Sequence, residues 1–280
     1  MGNTDKTAAA SKDSYNATVI QRVNITPRLS IFRIRPDEDF KFSAGQFTVL
    51  GLTHAAPRLP DADAEEPDPT RQARLIRRAY SISSGSQEQE FVEFFISLIG
   101  SGQLTPRLFC LKVGDRLFMG TKATGVFTLD RVASDKQLLL IGTGTGLAPY
   151  MSMVRTLALG EGCPVRPMVV LHGARYSWDL GYRAELESLG RACGGFRYLP
   201  VITRPQDDPS WNGLTGRLDR ILDLPELSKQ IGFSLNPQSC HVFLCGNPEM
   251  VEGVATLLQG RGFDPGSRKE PGNLHMEKYW

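Results

Sequence analysis

Residues 138–149 read Leu-Leu-Leu-Ile-Gly-Thr-Gly-Thr-Gly-Leu-Ala-Pro and carry the strongest structural signal in the chain. The apolar run at their start is typical of a buried β-strand. Three glycines at alternate positions then predict a turn with almost no side-chain bulk. Pro149 favours a helix start, because the first helical turn does not use the N–H that proline lacks. The pattern predicts a strand, a bare turn and a helix in direct succession.

Such a succession is typical of a pyrophosphate site. The backbone of a bare turn can approach a phosphate closely, and the dipole of the following helix favours negative charge. Gly142 and Gly144 fit the first two glycines of the dinucleotide-binding fingerprint, whereas Leu147 replaces the third. A tight turn that binds nothing accounts for the glycines equally well. The motifs before and after the turn are needed to choose between these interpretations.

Composition limits the possible functions. The chain has 280 residues, enough for two domains, and its 41% hydrophobic and 22% charged content is ordinary for a globular protein. A net charge of +2 does not favour nucleic-acid binding. No apolar run approaches the roughly 18–20 residues that span a bilayer, so no membrane association is expected. Residues 1–14 are polar and lack the apolar core of a secretory signal, so we expect a disordered lead-in and a cytoplasmic protein.

The cysteines bear on the redox compartment. They are Cys110, Cys163, Cys193, Cys240 and Cys245. An odd number at irregular spacing is more typical of a reducing compartment than of a disulfide framework. No Cys-x-x-Cys pair is present, so we expect neither an iron–sulfur cluster nor another metal site.

The distribution of apolar residues predicts two domains of different class. Residues 15–132 hold short runs rich in β-branched and aromatic residues, which predict an antiparallel β-barrel or sandwich. Residues 133–280 alternate apolar strands with helices, which predicts a parallel α/β sheet. The predicted strands are 17–24, 29–35, 47–52, 80–83, 91–98 and 115–120 in the first domain and 138–141, 168–171, 198–202 and 242–245 in the second. The predicted helices are 150–159, 180–189 and 248–259.

A loop and a short motif follow the third predicted strand. Residues 54–71 contain four prolines and five acidic residues, and we expect a mobile surface loop there. Residues 78–81 then offer a cation, an aromatic ring and a hydroxyl within four positions. A flavin needs such a set for its phosphates, its ring and its reactive nitrogen. An ordinary barrel strand with a surface arginine fits the motif equally well.

Residues 100–108 form a second candidate phosphate site. A glycine turn precedes Thr105 and Pro106, which predicts a short helix with Thr105 as its hydroxyl N-cap. Free N–H groups at such a helix start can bind an anion. A capped helix without a ligand is the alternative.

Four motifs occur in order along the chain: Arg78-Ala-Tyr-Ser81, Gly102-Gln-Leu-Thr105, the glycine turn at 142–149, and Cys245-Gly-Asn-Pro-Glu-Met250. In this order and spacing, from about Tyr15 to Trp280, the chain resembles the ferredoxin–NADP reductase family, in its bacterial flavodoxin/ferredoxin reductase branch. The resemblance implies a flavin-binding antiparallel β-barrel at 15–132 and a nucleotide-binding α/β domain at 133–280.

The resemblance also implies cofactors and residue roles. FAD is expected at Arg78, Ala79, Tyr80 and Ser81, with Ser81 near the flavin N5, and the FAD pyrophosphate at Gly102, Leu104 and Thr105. The NADPH pyrophosphate is expected at Gly142, Thr143, Gly144, Thr145 and Gly146. The nicotinamide is expected beside Cys245, Gly246 and Asn247, so that Ser81 and Cys245 are the candidate catalytic residues. A buried cysteine that only packs is the other interpretation of Cys245.

Three arginines bear on the choice between NADPH and NADH. An NAD site usually has an acidic residue after its second strand, whereas here the strand at 168–171 runs into His-Gly-Ala-Arg-Tyr. Arg175, Arg204 and Arg217 match family positions that contact the 2′-phosphate, and arginine suits a phosphate through charge-assisted bonds. Any one of them can equally be a solvated surface charge.

The chain ends in Tyr279 and Trp280, an ending shared by one branch of the bacterial reductases. In that branch the pair lies over FAD, which implies stacking on the flavin or the adenine. A tail packed on the protein's own surface is the alternative.

The sequence thus predicts an FAD-dependent reductase that passes electrons from NADPH to ferredoxin or flavodoxin. Arg71, Arg74, Arg77 and Arg78 form a basic rim suited to an acidic carrier. Nothing in the sequence requires more than a monomer. The alternatives are the reductase component of an oxygenase or another multi-component system, and a flavin-binding redox sensor.

Overall fold

The computed structural model describes residues 15–66, 68–164, 166–223, 225–267, 270 and 272–279. The lead-in expected at 1–14 and the terminal Trp280 lie outside the described residues. The chain divides into two compact units between Gly125 and Val126. No described helix is both long and apolar enough to cross a membrane.

The first unit is an antiparallel six-stranded sheet. Its strands are β1 (Ala17–Thr26), β2 (Leu29–Pro36), β3 (Phe47–Thr53), β4 (Leu75–Ser81), β5 (Val92–Ser97) and β6 (Arg116–Met119), with the short helix α1 (Thr105–Leu108) between β5 and β6. Their order in the sheet is β4-β3-β6-β1-β2-β5. A bridge between Ile82 and Phe94 joins the two ends of the sheet. The predicted barrel and its six strands are confirmed, although β4 begins at Leu75 rather than Tyr80.

Alternation places the barrel core. Phe32 and Ile34 on β2 share one face, as do Phe94 and Ile96 on β5, because every second side chain of a strand points to the same face, and all four are buried. They pack in one cluster with the apolar residues of β1, β3 and β6.

The second unit is a parallel six-stranded sheet flanked by helices. Its elements are β7 (Gln137–Thr143), α2 (Ala148–Glu161), β8 (Met168–Ala174), α3 (Arg183–Ala192), β9 (Phe196–Ile202), β10 (Leu214–Thr215), α4 (Leu218–Ile221), α5 (Pro225–Ile231), β11 (Cys240–Gly246), α6 (Pro248–Gly260) and β12 (Leu274–Lys278). The predicted α/β class is confirmed, and β10, β12, α4 and α5 were not predicted. The predicted strand at 138–141 is β7, whose four consecutive apolar residues are fully buried, as in a sheet covered on both faces.

The strand order β10-β9-β8-β7-β11-β12 creates a crevice. From β7 the chain moves to β8 on one side and later returns to β11 on the other. Open parallel sheets bind ligands at the carboxyl ends of strands where the order reverses in this way. The glycine turn, a 3₁₀-helix at Gly144–Leu147, lies at that position.

Two expectations need correction. Cys163 and Cys193 form a disulfide between the segment after α2 and the residue directly after α3, whereas Cys110, Cys240 and Cys245 are free thiols. The pair is separated by 30 residues in sequence but has Cα atoms 5.6 Å apart, a distance that only the packed helices establish. The loop expected to be mobile is packed on the barrel. The N–H of Leu59 donates to the Pro106 carbonyl at 3.2 Å and that of Asp63 to the Gly100 carbonyl at 3.3 Å.

Candidate functional site

Glycine allows the end of β7 to touch the end of β11. A Cβ on Gly146 would overlap the carbonyl oxygen of Cys245 and lie 2.8 Å from the Gly246 Cα. Gly246 has a φ of +127° and a Cβ there would lie 2.8 Å from the Thr143 carbonyl oxygen. The backbones at Gly146 and Gly246 are therefore in direct contact. They form a surface without side chains between the two strands, here called the bare floor, and any residue other than glycine would clash there.

Two side-chain hydroxyl groups stabilise the bare floor through hydrogen bonds. The hydroxyl of Tyr150, on α2, lies 2.9 Å from the carbonyl oxygens of both Ile141 and Phe243 and so connects β7 to β11. Burial raises the pKa of Tyr150, so the hydroxyl keeps its proton. The hydroxyl of Thr143 accepts from the Asn247 N–H at 3.0 Å. The predicted residues Gly142 to Gly146 and Cys245 to Asn247 are thus brought together.

His172 lies under the turn and was not predicted as a site residue. Its Nε2 is 3.2 Å from the Gly144 carbonyl oxygen and its Nδ1 is 3.1 Å from the Tyr198 hydroxyl. Burial lowers the pKa of His172 to about 4, so the ring is neutral at pH 7. In that state Nε2 donates to Gly144 while Nδ1 accepts from Tyr198. The signal available in the sequence was a polar residue at the end of an otherwise apolar strand.

Cys245 is fully buried at the carboxyl end of β11, and burial raises its pKa well above the ordinary value. A hydrogen bond with the Tyr279 side chain opposes that shift. The Tyr279 N–H also donates to the Gly246 carbonyl at 3.0 Å. Residues before Tyr279 form β12 rather than a loose tail, because they pair in parallel with β11. Trp280, its predicted partner, lies outside the described residues.

Glu277 is a further residue that was not predicted. It pairs with Cys245 in the register of β11 and β12. Burial raises the pKa of Glu277 to about 7, and its buried Oε2 has no hydrogen-bond partner among the described residues. A carboxyl group that is about half protonated at pH 7 therefore lies beside Cys245. Recognising it required knowing that β12 is a strand, so that Glu277 and Tyr279 share a face.

The three predicted arginines follow adjacent strands. Arg175 and Arg204, after β8 and β9, are connected because the Arg204 N–H donates to the Arg175 carbonyl at 3.1 Å. Arg204 also donates to the Tyr176 hydroxyl at 3.0 Å. Arg217 follows β10 and is paired with Asp219 at 3.3 Å. All three are exposed at the same edge of the sheet, with Arg217 one strand beyond the connected pair.

In the first unit, the two predicted flavin motifs meet. Arg78 on β4 donates to the Gln103 side chain at 3.4 Å. Arg78 and Ala79 are exposed, Tyr80 packs partly against the barrel core, and Ser81 is buried at the end of β4. Leu104 is also buried.

The predicted N-cap role of Thr105 is wrong. Thr105 is the first residue of α1 and Leu104 occupies the cap position. The Thr105 hydroxyl instead accepts from the Ile99 N–H at 3.0 Å and donates to the Ile99 carbonyl at 3.1 Å. This pair of bonds closes the turn at 100–104, and Gly102 fits inside it because a Cβ would lie 3.1 Å from the Ile99 carbonyl oxygen.

Comparison with known proteins identifies the family to which the chain belongs. The family model for the oxidoreductase NAD-binding domain matches residues 140–256. The chain is 34% identical over 242 residues to the flavodoxin/ferredoxin–NADP reductase of Escherichia coli (strain K12), with 85% of this chain and 88% of that protein covered. It is 32% identical over 241 residues to the reductase of the same name from Buchnera aphidicola subsp. Baizongia pistaciae, with the same coverage. Its fold is similar to that of a ferredoxin NADP⁺ reductase from Neisseria gonorrhoeae with bound FAD and NADP, at a TM-score of 0.79, 25% identity, and 95% and 99% coverage of the two chains. At this identity and coverage, the chain belongs to the ferredoxin/flavodoxin–NADP reductase family.

Proposed function

We propose that this protein is an FAD-dependent oxidoreductase that transfers electrons between NADPH and a one-electron carrier, ferredoxin or flavodoxin. The bare floor formed by Gly146 and Gly246 at the crevice of the parallel sheet carries the proposal, because it admits a dinucleotide to the carboxyl ends of β7 and β11. The relatives named above are reductases of this type.

The turn at 100–105 fits the FAD pyrophosphate. Within the described chain, the backbone N–H groups of Gln103, Leu104 and Thr105 have no hydrogen-bond acceptor, whereas the Gly102 N–H donates to Ile99. Successive free N–H groups in a turn form a concave anion site. Arg78 adds a cation beside it through its contact with Gln103. When bound, FAD supplies the chemistry that accepts a hydride as two electrons and releases them one at a time.

The second unit would bind NADPH along the carboxyl edge of its sheet. The turn at Gly142 to Gly146 would hold the pyrophosphate, and Arg175 and Arg204 would bind the 2′-phosphate as a connected pair. Arg217 would contribute from the neighbouring strand after release from Asp219.

Ser81 and Cys245 would shape the places where the reacting rings lie. Hydride transfer depends on alignment more than on proton transfer, so neither residue has to act as an acid or base. Tyr279, whose N–H donates to the Gly246 carbonyl, would with Trp280 stack on a ring of the cofactor. Glu277 would be partly protonated beside Cys245 at neutral pH.

The basic rim at Arg71, Arg74, Arg77 and Arg78 would attract the acidic carrier. All four side chains are exposed, although Arg71 pairs with Asp68 at 2.8 Å and Arg77 lies over the Phe118 ring at 4.4 Å. Arg71→Glu and Arg74→Glu should each slow reduction of ferredoxin or flavodoxin at low salt and reduce its salt dependence. Lys112→Glu, at an exposed position outside the rim, is the charge-matched control. Carrier reduction that stays the same at low salt in both rim variants would exclude this docking surface.

We further propose that the protein is a cytoplasmic monomer. The free thiols at Cys110, Cys240 and Cys245 support a reducing compartment, whereas the Cys163–Cys193 disulfide does not. Light scattering on the purified protein and thiol mapping in fractionated cells test the two parts separately.

A spectral titration tests the whole proposal. The purified protein should show a flavin absorbance spectrum that bleaches when NADPH is added anaerobically, and NADH should bleach it far less readily. A colourless protein that takes up no FAD would refute the proposal. Equal bleaching by NADH would refute only the role of the arginines.

A further inference from the structure

We propose that Arg58, on the acidic loop, positions the turn at 100–105 for the FAD pyrophosphate, assisted by Arg107 and Glu65. Here the acidic loop means residues 54–66. The inference rests on the proposed function, since it concerns the same FAD site. It gives that loop a role in cofactor binding.

Arg58 crosses from the acidic loop to the turn. Its Nη1 donates to the Gly102 carbonyl at 2.8 Å, and its Nη2 donates to the Gly100 carbonyl at 2.9 Å and to the Asp63 carbonyl at 2.7 Å. Its side chain is only 16% exposed. A planar guanidinium with fixed donor directions can hold three carbonyl groups in one geometry, which a flexible ammonium cannot. Arg58 therefore sets the orientation of two peptide groups in the turn.

Arg107 also connects the acidic loop to the turn at 100–105. Its Nη1 donates to the Gln103 carbonyl at 2.7 Å, and its Nη2 donates to the His54 carbonyl at 2.9 Å and to Glu65 Oε2 at 2.7 Å. Arg107 is 5% exposed, and Glu65 also lies 3.9 Å from Arg58. Glu65 thus offsets part of the positive charge of the two arginines and links the acidic loop to Arg107.

Together the two arginines donate hydrogen bonds to the carbonyl groups of Gly100, Gly102 and Gln103. The N–H groups that have no acceptor, those of Gln103, Leu104 and Thr105, belong to the same short segment. Fixing the carbonyl side of a peptide also fixes its N–H side, because the peptide group is planar. The Gly102 and Gln103 carbonyls share their peptide groups with the N–H groups of Gln103 and Leu104. The contacts of Arg58 and Arg107 therefore fix the direction of these two N–H groups before any ligand arrives, and this preorganisation strengthens binding.

The test compares ligands that differ only beyond the flavin ring. Arg58→Ala is prepared in the full chain, the flavin is removed, and the dissociation constants of FAD and riboflavin are measured by fluorescence. Riboflavin lacks phosphate, so it reports general damage to the barrel. We expect FAD to bind about tenfold more weakly, as for the loss of one well-oriented hydrogen bond to a charged group, and riboflavin to change less than about twofold.

Three further variants extend the test. Arg58→Lys should recover part of the FAD affinity, since an ammonium group can still reach one or two of the carbonyls. Arg35→Ala, an exposed residue on β2, removes the same charge and should leave both dissociation constants unchanged. If Arg58→Ala does not fold, Glu65→Gln loosens the acidic loop without removing a guanidinium and should weaken FAD about threefold relative to riboflavin.

The outcomes separate the two levels of the proposal. An unchanged FAD affinity in Arg58→Ala, or an equal loss for FAD and riboflavin, would overturn the positioning role. A wild-type protein that binds FAD no more tightly than riboflavin would overturn the proposed pyrophosphate site itself.

Discussion

His172 Nε2 lies 3.2 Å from the Gly144 carbonyl oxygen and thereby joins the buried end of β8 to the turn after β7. This bond supports a glycine with a φ of +53°, which has no side chain of its own to fix it. The Tyr198 hydroxyl completes the arrangement from β9.

His172→Phe should therefore weaken NADP⁺ binding. The variant leaves the Gly144 carbonyl and the Tyr198 hydroxyl unpaired, and we expect the dissociation constant to rise about tenfold with the FAD content unchanged. Titration calorimetry measures the first quantity and absorbance the second. His172→Gln should restore much of the affinity, because an amide can donate to Gly144 and accept from Tyr198. Equal affinities in wild type and His172→Phe would contradict a role in holding the turn.

The same histidine should make stability depend on pH. Its pKa is about 4 in the folded protein and about 6.5 in an unfolded chain, so between these values only the unfolded chain takes up the proton. The free energy of unfolding should fall by about 1.4 kcal/mol per pH unit as the pH drops from 6.5 towards 4. His275, whose pKa burial also lowers to about 4, acts in the same direction. Denaturant unfolding at pH 7, 6 and 5 gives the free energy of unfolding at each pH. In His172→Gln this free energy should change less with pH than in wild type, and an equal change in both proteins would contradict the role of His172.

Glu277 should change the pH dependence of stability in the opposite direction to His172. Burial raises its pKa from 4.5 to about 7, so the folded protein holds a proton that the unfolded chain has lost. Its contribution is present below pH 4.5 and declines as the pH rises to 7. Glu277→Gln should therefore be more stable than wild type at pH 8, and its rate of NADPH oxidation should lose any titration near pH 7. Thermal unfolding and a pH–rate profile check both, with the exposed Glu252→Gln as control. A variant less stable than wild type at pH 8 would contradict the assignment.

The arginine pair should set the choice of nucleotide. Arg175→Ala and Arg204→Ala should each raise the KM for NADPH about tenfold or more and leave the KM for NADH nearly unchanged, because only NADPH carries the 2′-phosphate. Steady-state kinetics with both nucleotides measures the ratio. Arg191→Ala, an exposed position on α3, is the control for charge. Parallel losses with NADPH and NADH would show that these arginines act on something other than the 2′-phosphate.

Local patterns predicted the two domains and the glycine turn. Short runs rich in β-branched and aromatic residues identified the six barrel strands, since such side chains pack well on the surface of a sheet. The continuous apolar run of β7 and its glycines identified the crevice, since contacts as close as that between Gly146 and Cys245 leave no room for a side chain. The motifs at 78–81 and 100–105 were also found in this way, although the N-cap role of Thr105 was not correct.

Pairing between distant segments could not be predicted from local patterns. β12 is an edge strand in which only Leu274 is fully buried, so its composition resembles a polar tail until β11 binds it. Glu277 beside Cys245, His172 beneath Gly144, the Cys163–Cys193 disulfide and the Arg58 contacts all join segments that are far apart in sequence. Each of these contacts depends on the register of strands or the ends of packed helices. Strand register and helix packing are properties of the whole folded chain. A side chain's neighbours across a sheet depend on which strands pair, and the free energy of that pairing is shared among all the strands.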